Sequence, residues 1–113
     1  MHFGLVNPKG VHFNAALALT AGGVALHQFE GRDDALLKIA DCAVVRDEPA
    51  GVTRYGLRLP LAVLGLRPGK AFGLTILFFD DDEGSGHRCW LELAPGLAGL
   101  HDVTLYPRFV LAK

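Results

Sequence analysis

The sequence contains few of the residues that build metal and haem sites. Its 113 residues include two cysteines, one methionine and one tryptophan. Cys42 and Cys89 are far apart, so no CxxC pair of the kind that binds zinc is present. Met1 is the only methionine, which excludes an internal His/Met pair of haem ligands. Both cysteines lie in apolar runs, which favours buried free thiols over a single disulfide.

Neither sign of charge is in excess. Eleven Lys and Arg face twelve Asp and Glu, for a formal net charge of −1. A general binder of nucleic acid or of membrane surfaces needs a basic field, so we expect neither partner. The longest apolar run, 71–79, is far shorter than the roughly 20 residues of a membrane helix. No basic segment with an apolar run and a cleavage site opens the chain, so no signal peptide is expected.

Apolar residues and turn formers are abundant. Half of the residues are hydrophobic and 20% are charged, which excludes intrinsic disorder. The 14 glycines and six prolines indicate many turns and therefore many short strands. The length is suited to one core. We predict that residues 1–113 form a single domain.

Alternating apolar and polar side chains predict most of the strands. The clearest runs are 11–20, 24–29, 53–59, 71–79, 88–93 and 104–112. Residues 36–48 fit either a helix or a strand and are assigned to a strand, because a turn follows at 49–51. Residues 61–66, after Pro60, fit one helical turn. Pro107 predicts an edge strand or a bulge. The expected fold is an all-β, antiparallel β-sandwich of jelly-roll type with seven or eight strands.

An acidic loop follows the apolar run 71–79. Asp80, Asp81 and Asp82 concentrate negative charge, and carboxylate oxygens favour Ca²⁺ over transition metals. The spacing from Asp81 resembles an EF-hand loop, but strands rather than helices flank it. A calcium-binding loop of another type is one interpretation. The other is a solvated acidic turn that pairs with Arg88.

Trp90 shares a predicted strand face with Arg88 and Glu92. An indole ring can stack on the face of a sugar ring while the guanidinium and the carboxylate bond its hydroxyl groups. These three residues are therefore candidate carbohydrate-binding residues. The alternative is that Trp90 only covers the sheet.

Signals for catalysis are weak. The five histidines form no HxH or HxxxH pair, and scattered positions on strands rarely converge on a metal. No GxSxG nucleophile motif occurs, and His101 and Asp102 point to opposite faces if they lie on a strand. Paired carboxylates of glycosidase type are not singled out. We expect the chain not to be an enzyme.

Residues 53–111 resemble the C-terminal half of family-9 carbohydrate-binding modules and their DOMON-like relatives. The resemblance is carried by a series of motifs in order: PLAVLG, RPGKAFGL, DDDxGxGxR, WLEL with a following PG, and DxxLYPxFVL. It implies a β-sandwich that binds polysaccharide or oligosaccharide without catalysis, is often attached to a glycoside hydrolase, and often holds structural calcium. Asp80, Asp81 and Asp82 match the family's acidic loop, Arg88 its loop-ending arginine and Trp90 its tryptophan. An extracytoplasmic location is also implied.

The chain departs from this family in length. Family members have additional N-terminal strands that this sequence does not match, and a clamp of two tryptophans is impossible with Trp90 alone. A half-sandwich would leave an apolar sheet face in water, so we expect a homodimer, face-packed or strand-exchanged. A carbohydrate-binding domain is the first hypothesis. A structural or assembly β-domain without a ligand site is the second, and a haem- or small-ligand-binding DOMON-like domain is the third.

Overall fold

The computed structural model describes residues 1–31, 35–80, 89–99 and 101–113. Eight strands dominate the described residues, which confirms the prediction of an all-β antiparallel fold. The strands are β1 (His2–Val6), β2 (His12–Thr20), β3 (Gly23–Glu30), β4 (Asp41–Asp47), β5 (Val52–Arg58), β6 (Ala71–Asp80), β7 (Cys89–Glu92) and β8 (Arg108–Val110). Two short helices, α1 (Ala35–Ile39) and α2 (Leu61–Leu64), and a 3-10 helix (Val103–Leu105) complete the elements.

Six of the strands form one sheet. Its order is β3-β2-β1-β6-β7, and β8 also pairs with β6. β4 and β5 form a separate two-stranded sheet. All pairs are antiparallel. The apolar run 71–79 thus becomes the strand with the most partners, as its lack of a polar face predicts.

The inner face of the six-stranded sheet carries the main core. Its side chains meet the two-stranded sheet, where Leu57 and Leu59 pack against this core. The helices also contribute, with Leu36 from α1 and Leu64 from α2. The buried core residues are Phe3, Leu5, Phe13, Ala15, Leu36, Leu64, Leu66 and Phe72.

The outer face of the sheet is covered in part by residues 93–99 and 101–106. Tyr106 and Leu97 from this segment form a second buried cluster with Val6 and Leu77. The close approach depends on Gly4, because a Cβ atom there would overlap the Tyr106 hydroxyl. β1 and its neighbours are therefore covered on both faces at this end of the sheet.

Two elements differ from the sequence-based prediction. Residues 36–48, which were assigned to one strand, contain both a helix and a strand, since α1 ends at Ile39 and β4 starts at Asp41. The strand predicted at 104–112 is reduced to β8, because Asp102 caps a 3-10 helix by accepting from the Thr104 amide at 3.0 Å. Among the described strands β8 pairs with β6 alone, which agrees with the edge strand that was one of the two expectations from Pro107.

Candidate carbohydrate-binding surface

A row of residues in cross-strand register crosses the outer face. From β3 to β7 it contains His27, Ala16, His2, Leu77 and Glu92. Alternate residues of a strand point to the same face, so the five side chains share the outer face. Neighbouring strands are about 4.8 Å apart, so the row spans about 19 Å. Leu77 is fully buried in the cluster with Leu97 and Tyr106, so the row is not one continuous open surface.

Two aromatic side chains lie beside this row. Trp90 of β7 is the register partner of Phe79 of β6, and both project from the outer face. They are 57% and 51% exposed, respectively. Leaving two such rings in water forgoes the free energy of burying them. Together they form an apolar platform at the edge of the row.

Glu92 supplies an acceptor next to the platform. Its side chain is half-buried, and its Oε2 atom is buried without a hydrogen-bond partner in the part of the chain that the structure describes. A buried carboxylate oxygen without a donor costs free energy. The described residues therefore leave the hydrogen-bonding capacity of this acceptor unfilled.

His2 lies at the middle of the row. Its Nε2 atom is hydrogen-bonded to Asn14 Oδ1, and its ring lies 5.2 Å from the ring of Phe29. Burial lowers the pKa of His2, and the hydrogen bond to Asn14 acts against this shift. The positive charges of His101 and of the N-terminal amine lower the pKa further. The imidazole is therefore held neutral, with Nε2 donating to Asn14 Oδ1 and Nδ1 left as an acceptor.

His27 provides a second imidazole on β3. Its ring contacts that of Phe29 edge-on, with 4.5 Å between the centroids. Phe29 is exposed and lies where the register of β2 and β3 shifts at a bulge. The β3 side of the outer face thus also combines an aromatic ring with a polar ring nitrogen.

A separate network holds the covering segment in place. His12 Nδ1 lies 2.5 Å from Glu30 Oε2, and His12 Nε2 lies 3.1 Å from the Tyr106 hydroxyl. Burial raises the pKa of Tyr106, and the nearby Glu30 carboxylate raises it further. Tyr106 therefore stays neutral and hydrogen-bonded, which fixes the border of the exposed surface.

The residues proposed from the sequence are only partly within the described structure. Trp90 and Glu92 share the outer face, as predicted for a strand. Arg88, Asp81 and Asp82 lie outside the described residues. Asp80 ends β6, but its side chain also lies outside the description. Among the described residues, no three His, Cys, Asp or Glu side chains are grouped to hold a metal ion.

Sequence reasoning missed the contribution of His2, His27 and Phe79. The histidines were treated as scattered, yet His2, His12 and His27 lie on one face of three adjacent strands. On its own strand, each histidine alternates with the residues that face the core. This alternation was the signal in the sequence that placed the histidines on the outer face. The order β3-β2-β1 and the register between these strands were needed to show that they are neighbours.

The fold and this surface define an antiparallel β-sheet protein with an exposed aromatic and polar face. Comparisons with protein-family models, with curated proteins and with solved structures found no match. In the described chain, the helices are too short to cross a membrane.

Proposed function

We propose that the chain is a non-catalytic carbohydrate-binding domain whose ligand lies on the outer face. The observation that carries the proposal is the exposed pair of Trp90 and Phe79 beside Glu92, whose buried Oε2 atom has no hydrogen-bond partner among the described residues. The sequence alone suggested Trp90 and Glu92. The structure adds Phe79, His2 and His27 to the same face.

The chemistry of a sugar matches both parts of this surface. One face of a pyranose ring carries C–H groups and packs on an aromatic ring, while its rim carries hydroxyl groups. Trp90 and Phe79 would receive the C–H face. Glu92 would accept from hydroxyls, and Nδ1 of the neutral His2 imidazole would also accept, since its Nε2 already donates to Asn14. Such a flat sheet surface suits an extended polysaccharide or oligosaccharide.

The resemblance of residues 53–111 to family-9 carbohydrate-binding modules supports the same proposal. Within it, Arg88 would add a bidentate donor beside Trp90. Asp80, Asp81 and Asp82 would hold structural Ca²⁺, for which oxygen ligands are suited. Attachment to a glycoside hydrolase and an extracytoplasmic location belong to the same proposal. A thermal shift on adding Ca²⁺ that disappears when the three aspartates are replaced by alanine would support the metal.

A glycan array is the first test of carbohydrate binding. We expect the unchanged chain to bind one class of polysaccharide, and Trp90→Ala to weaken this binding at least about tenfold. Val45→Ala is the control, because Val45 is an exposed apolar residue of β4 in the two-stranded sheet, away from the outer face. Equal losses in the two variants, or no binding to any glycan, would contradict the proposal.

A structural or assembly role is the second candidate. It is favoured by apolar side chains on the inner face that the two-stranded sheet leaves uncovered: Leu91 is 73% exposed and Leu93 58% exposed. Phe109, on the adjoining β8, is also exposed. We propose that a second copy of the chain covers this strip, which would make the protein a homodimer.

A further inference from the structure

An apolar cavity lies between the two sheets, where β5 faces the inner side of β1 and β6. Its volume is about 380 Å³, within the range of about 300–1,000 Å³ that is usual for small-ligand sites. Met1 and Tyr55 border it. The side chains that form its apolar walls are Phe3, Leu5, Leu57, Leu59, Leu74 and Ile76.

The cavity is a part of the core that the chain leaves unfilled. Phe3 and Leu5 are buried members of the main core, but Leu57, Leu59 and the β6 wall residues are only partly buried. Protein interiors are close-packed and contain few voids larger than a water molecule. Apolar side chains that stay partly in water forgo the free energy of burial. An apolar molecule between the sheets would recover it.

The lining also defines what such a molecule must lack. Among the described residues that surround the cavity, Tyr55 alone has a polar side-chain group. A hydrogen-bonding group placed deeper in the cavity would lose its water without gaining a partner, which costs free energy. The part of a ligand that lies between the sheets is therefore a hydrocarbon.

One positive charge is fixed beyond Tyr55. Arg46 is the register partner of Thr53, which is two residues, or about 7 Å, from Tyr55 along β5. Alternate residues share a face, so Arg46 follows the buried Val44 on the side of β4 that faces the core. Tyr55 lines both the apolar cavity and the space next to Arg46.

Two hydrogen bonds orient the Arg46 guanidinium. Its Nη1 atom donates to Thr53 Oγ1 at 2.9 Å, and its Nε atom donates to Glu48 Oε1 at 3.3 Å. A guanidinium has five N–H donors, so these contacts use two of them. The Glu48 side chain is 77% exposed, against 35% for Arg46, and water therefore weakens the pairing with Glu48. The remaining donors suit a carboxylate.

We propose that this cavity binds a free long-chain fatty acid, with its alkyl chain between the sheets and its carboxylate on Arg46. The apolar walls are complementary to the alkyl chain, and the oriented guanidinium is complementary to the carboxylate. The site lies on the inner side of the six-stranded sheet, so the inference does not depend on carbohydrate binding at the outer face.

Methyl NMR of the unchanged chain tests the proposal. The probes are saturated fatty acids of 8 to 14 carbons, each added below the concentration at which it forms micelles. We expect saturable shifts of the methyl signals of Leu57, Leu59 and Leu74. The methyl signals of Leu36, which is buried in the core and does not line the cavity, should change little. Affinity should rise about two- to fourfold with each added methylene until the cavity is full.

A pair of arginine variants tests the position of the carboxylate. Binding of dodecanoic acid should weaken at least about fivefold in Arg46→Gln and persist in Arg54→Gln. Arg54 is the matched control, because it is exposed and follows Thr53 on β5, so it projects from the opposite face. Dodecanol, which has no carboxylate, should bind more weakly to the unchanged chain and equally to both variants. If Arg46→Gln does not fold, the comparison of the acid with the alcohol on the unchanged chain decides.

Three results would overturn the proposal. The first is the absence of methyl shifts at the cavity with every fatty acid. The second is equal binding of dodecanoic acid and dodecanol. The third is a set of cavity methyl signals that shift when the protein is diluted and do not respond to the acids, which would assign the cavity to a second copy of the chain.

Discussion

At the scale of single residues, two glycines shape the outer face, because their lack of a side chain leaves room for a neighbouring ring. Gly4 and Gly73 lie under Tyr106, and a Cβ atom at Gly73 would come within 3.1 Å of the Tyr106 Cβ. The resulting close contact brings the hydroxyl of Tyr106 to His12. The two small residues thus position the segment that borders the proposed carbohydrate-binding surface.

Gly4→Ala should therefore destabilise the fold. The new methyl group would overlap the Tyr106 ring, and overpacking of this kind costs about 1–3 kcal/mol. Gly56→Ala is the control, because a Cβ atom there meets only Ala43 at 3.9 Å and should change the free energy of unfolding by less than about 0.5 kcal/mol. Urea unfolding of both variants measures the difference. Equal stability of the two would refute the packing described for Tyr106.

His2 should make stability depend on pH. Burial is the largest cause that lowers its pKa below the ordinary value of 6.5, and the hydrogen bond to Asn14 acts in the opposite direction. The unfolded chain then binds a proton at a higher pH than the folded chain does. Stability is therefore fully present above pH 6.5 and is lost as the pH falls from there to the folded pKa.

His2→Gln tests this dependence. The amide cannot titrate, so the variant should lose less stability than the unchanged chain between pH 7 and pH 5, as followed by urea unfolding. Burial also lowers the pKa of the N-terminal amine below its ordinary value of 8.0. Both proteins carry this amine, so its contribution to the pH dependence of the unfolding free energy cancels when they are compared. Parallel pH profiles would show that His2 has no lowered pKa.

At the scale of elements, the turn between β1 and β2 depends on one buried side chain. Asn7 Oδ1 accepts from the amides of Lys9 at 2.9 Å and Val11 at 3.0 Å. Its Nδ2 atom donates to the Leu64 carbonyl at 3.1 Å. Asn7 thus joins the hairpin to α2.

Asn7→Ala should cost at least about 2 kcal/mol of unfolding free energy, because it leaves several backbone groups near the core without partners. Lys9→Ala, an exposed change in the same turn, should have almost no effect. Thermal or urea unfolding distinguishes the two. A small effect of both changes would show that water replaces the Asn7 contacts.

The strands were predictable where local pattern decides the structure. β2, β3, β5 and β6 follow from alternation, from the turn residues between them and from the wholly apolar run 71–79. The helix α1 was missed, because a five-residue helix leaves too little periodicity to detect. Trp90 and Glu92 were found from one strand, but Phe79 and His2 required the pairing between strands. Long-range register, which depends on side-chain packing over the whole sheet, is not encoded locally.

At the scale of the whole molecule, much apolar surface remains uncovered. The accessible surface is 7351 Å², against about 6000 Å² expected for a folded monomer of this size. The two-stranded sheet β4–β5 is narrower than the six-stranded sheet that it faces. Leu91 and Leu93 lie at the uncovered side. This shape is the physical basis of the proposed dimer.

Light scattering at low protein concentration tests the dimer. We expect twice the mass of one chain, and Leu91→Asp should shift the protein to the single-chain mass by placing a charge in the contact. Leu61→Asp, at an exposed position on α2, should leave the dimer intact. A stable monomer with cooperative unfolding would contradict the expected association.

The intrinsic fluorescence of the protein reports on carbohydrate binding at the proposed Trp90 platform, because Trp90 is the only tryptophan. Cello-, xylo- and malto-oligosaccharides are titrated into the unchanged chain and into Phe79→Ala. We expect a saturable change in Trp90 emission with at least one series, and an apparent Kd that rises several-fold in the variant. The absence of any change in emission across the three series, or a change that Phe79→Ala leaves intact, would contradict this expectation.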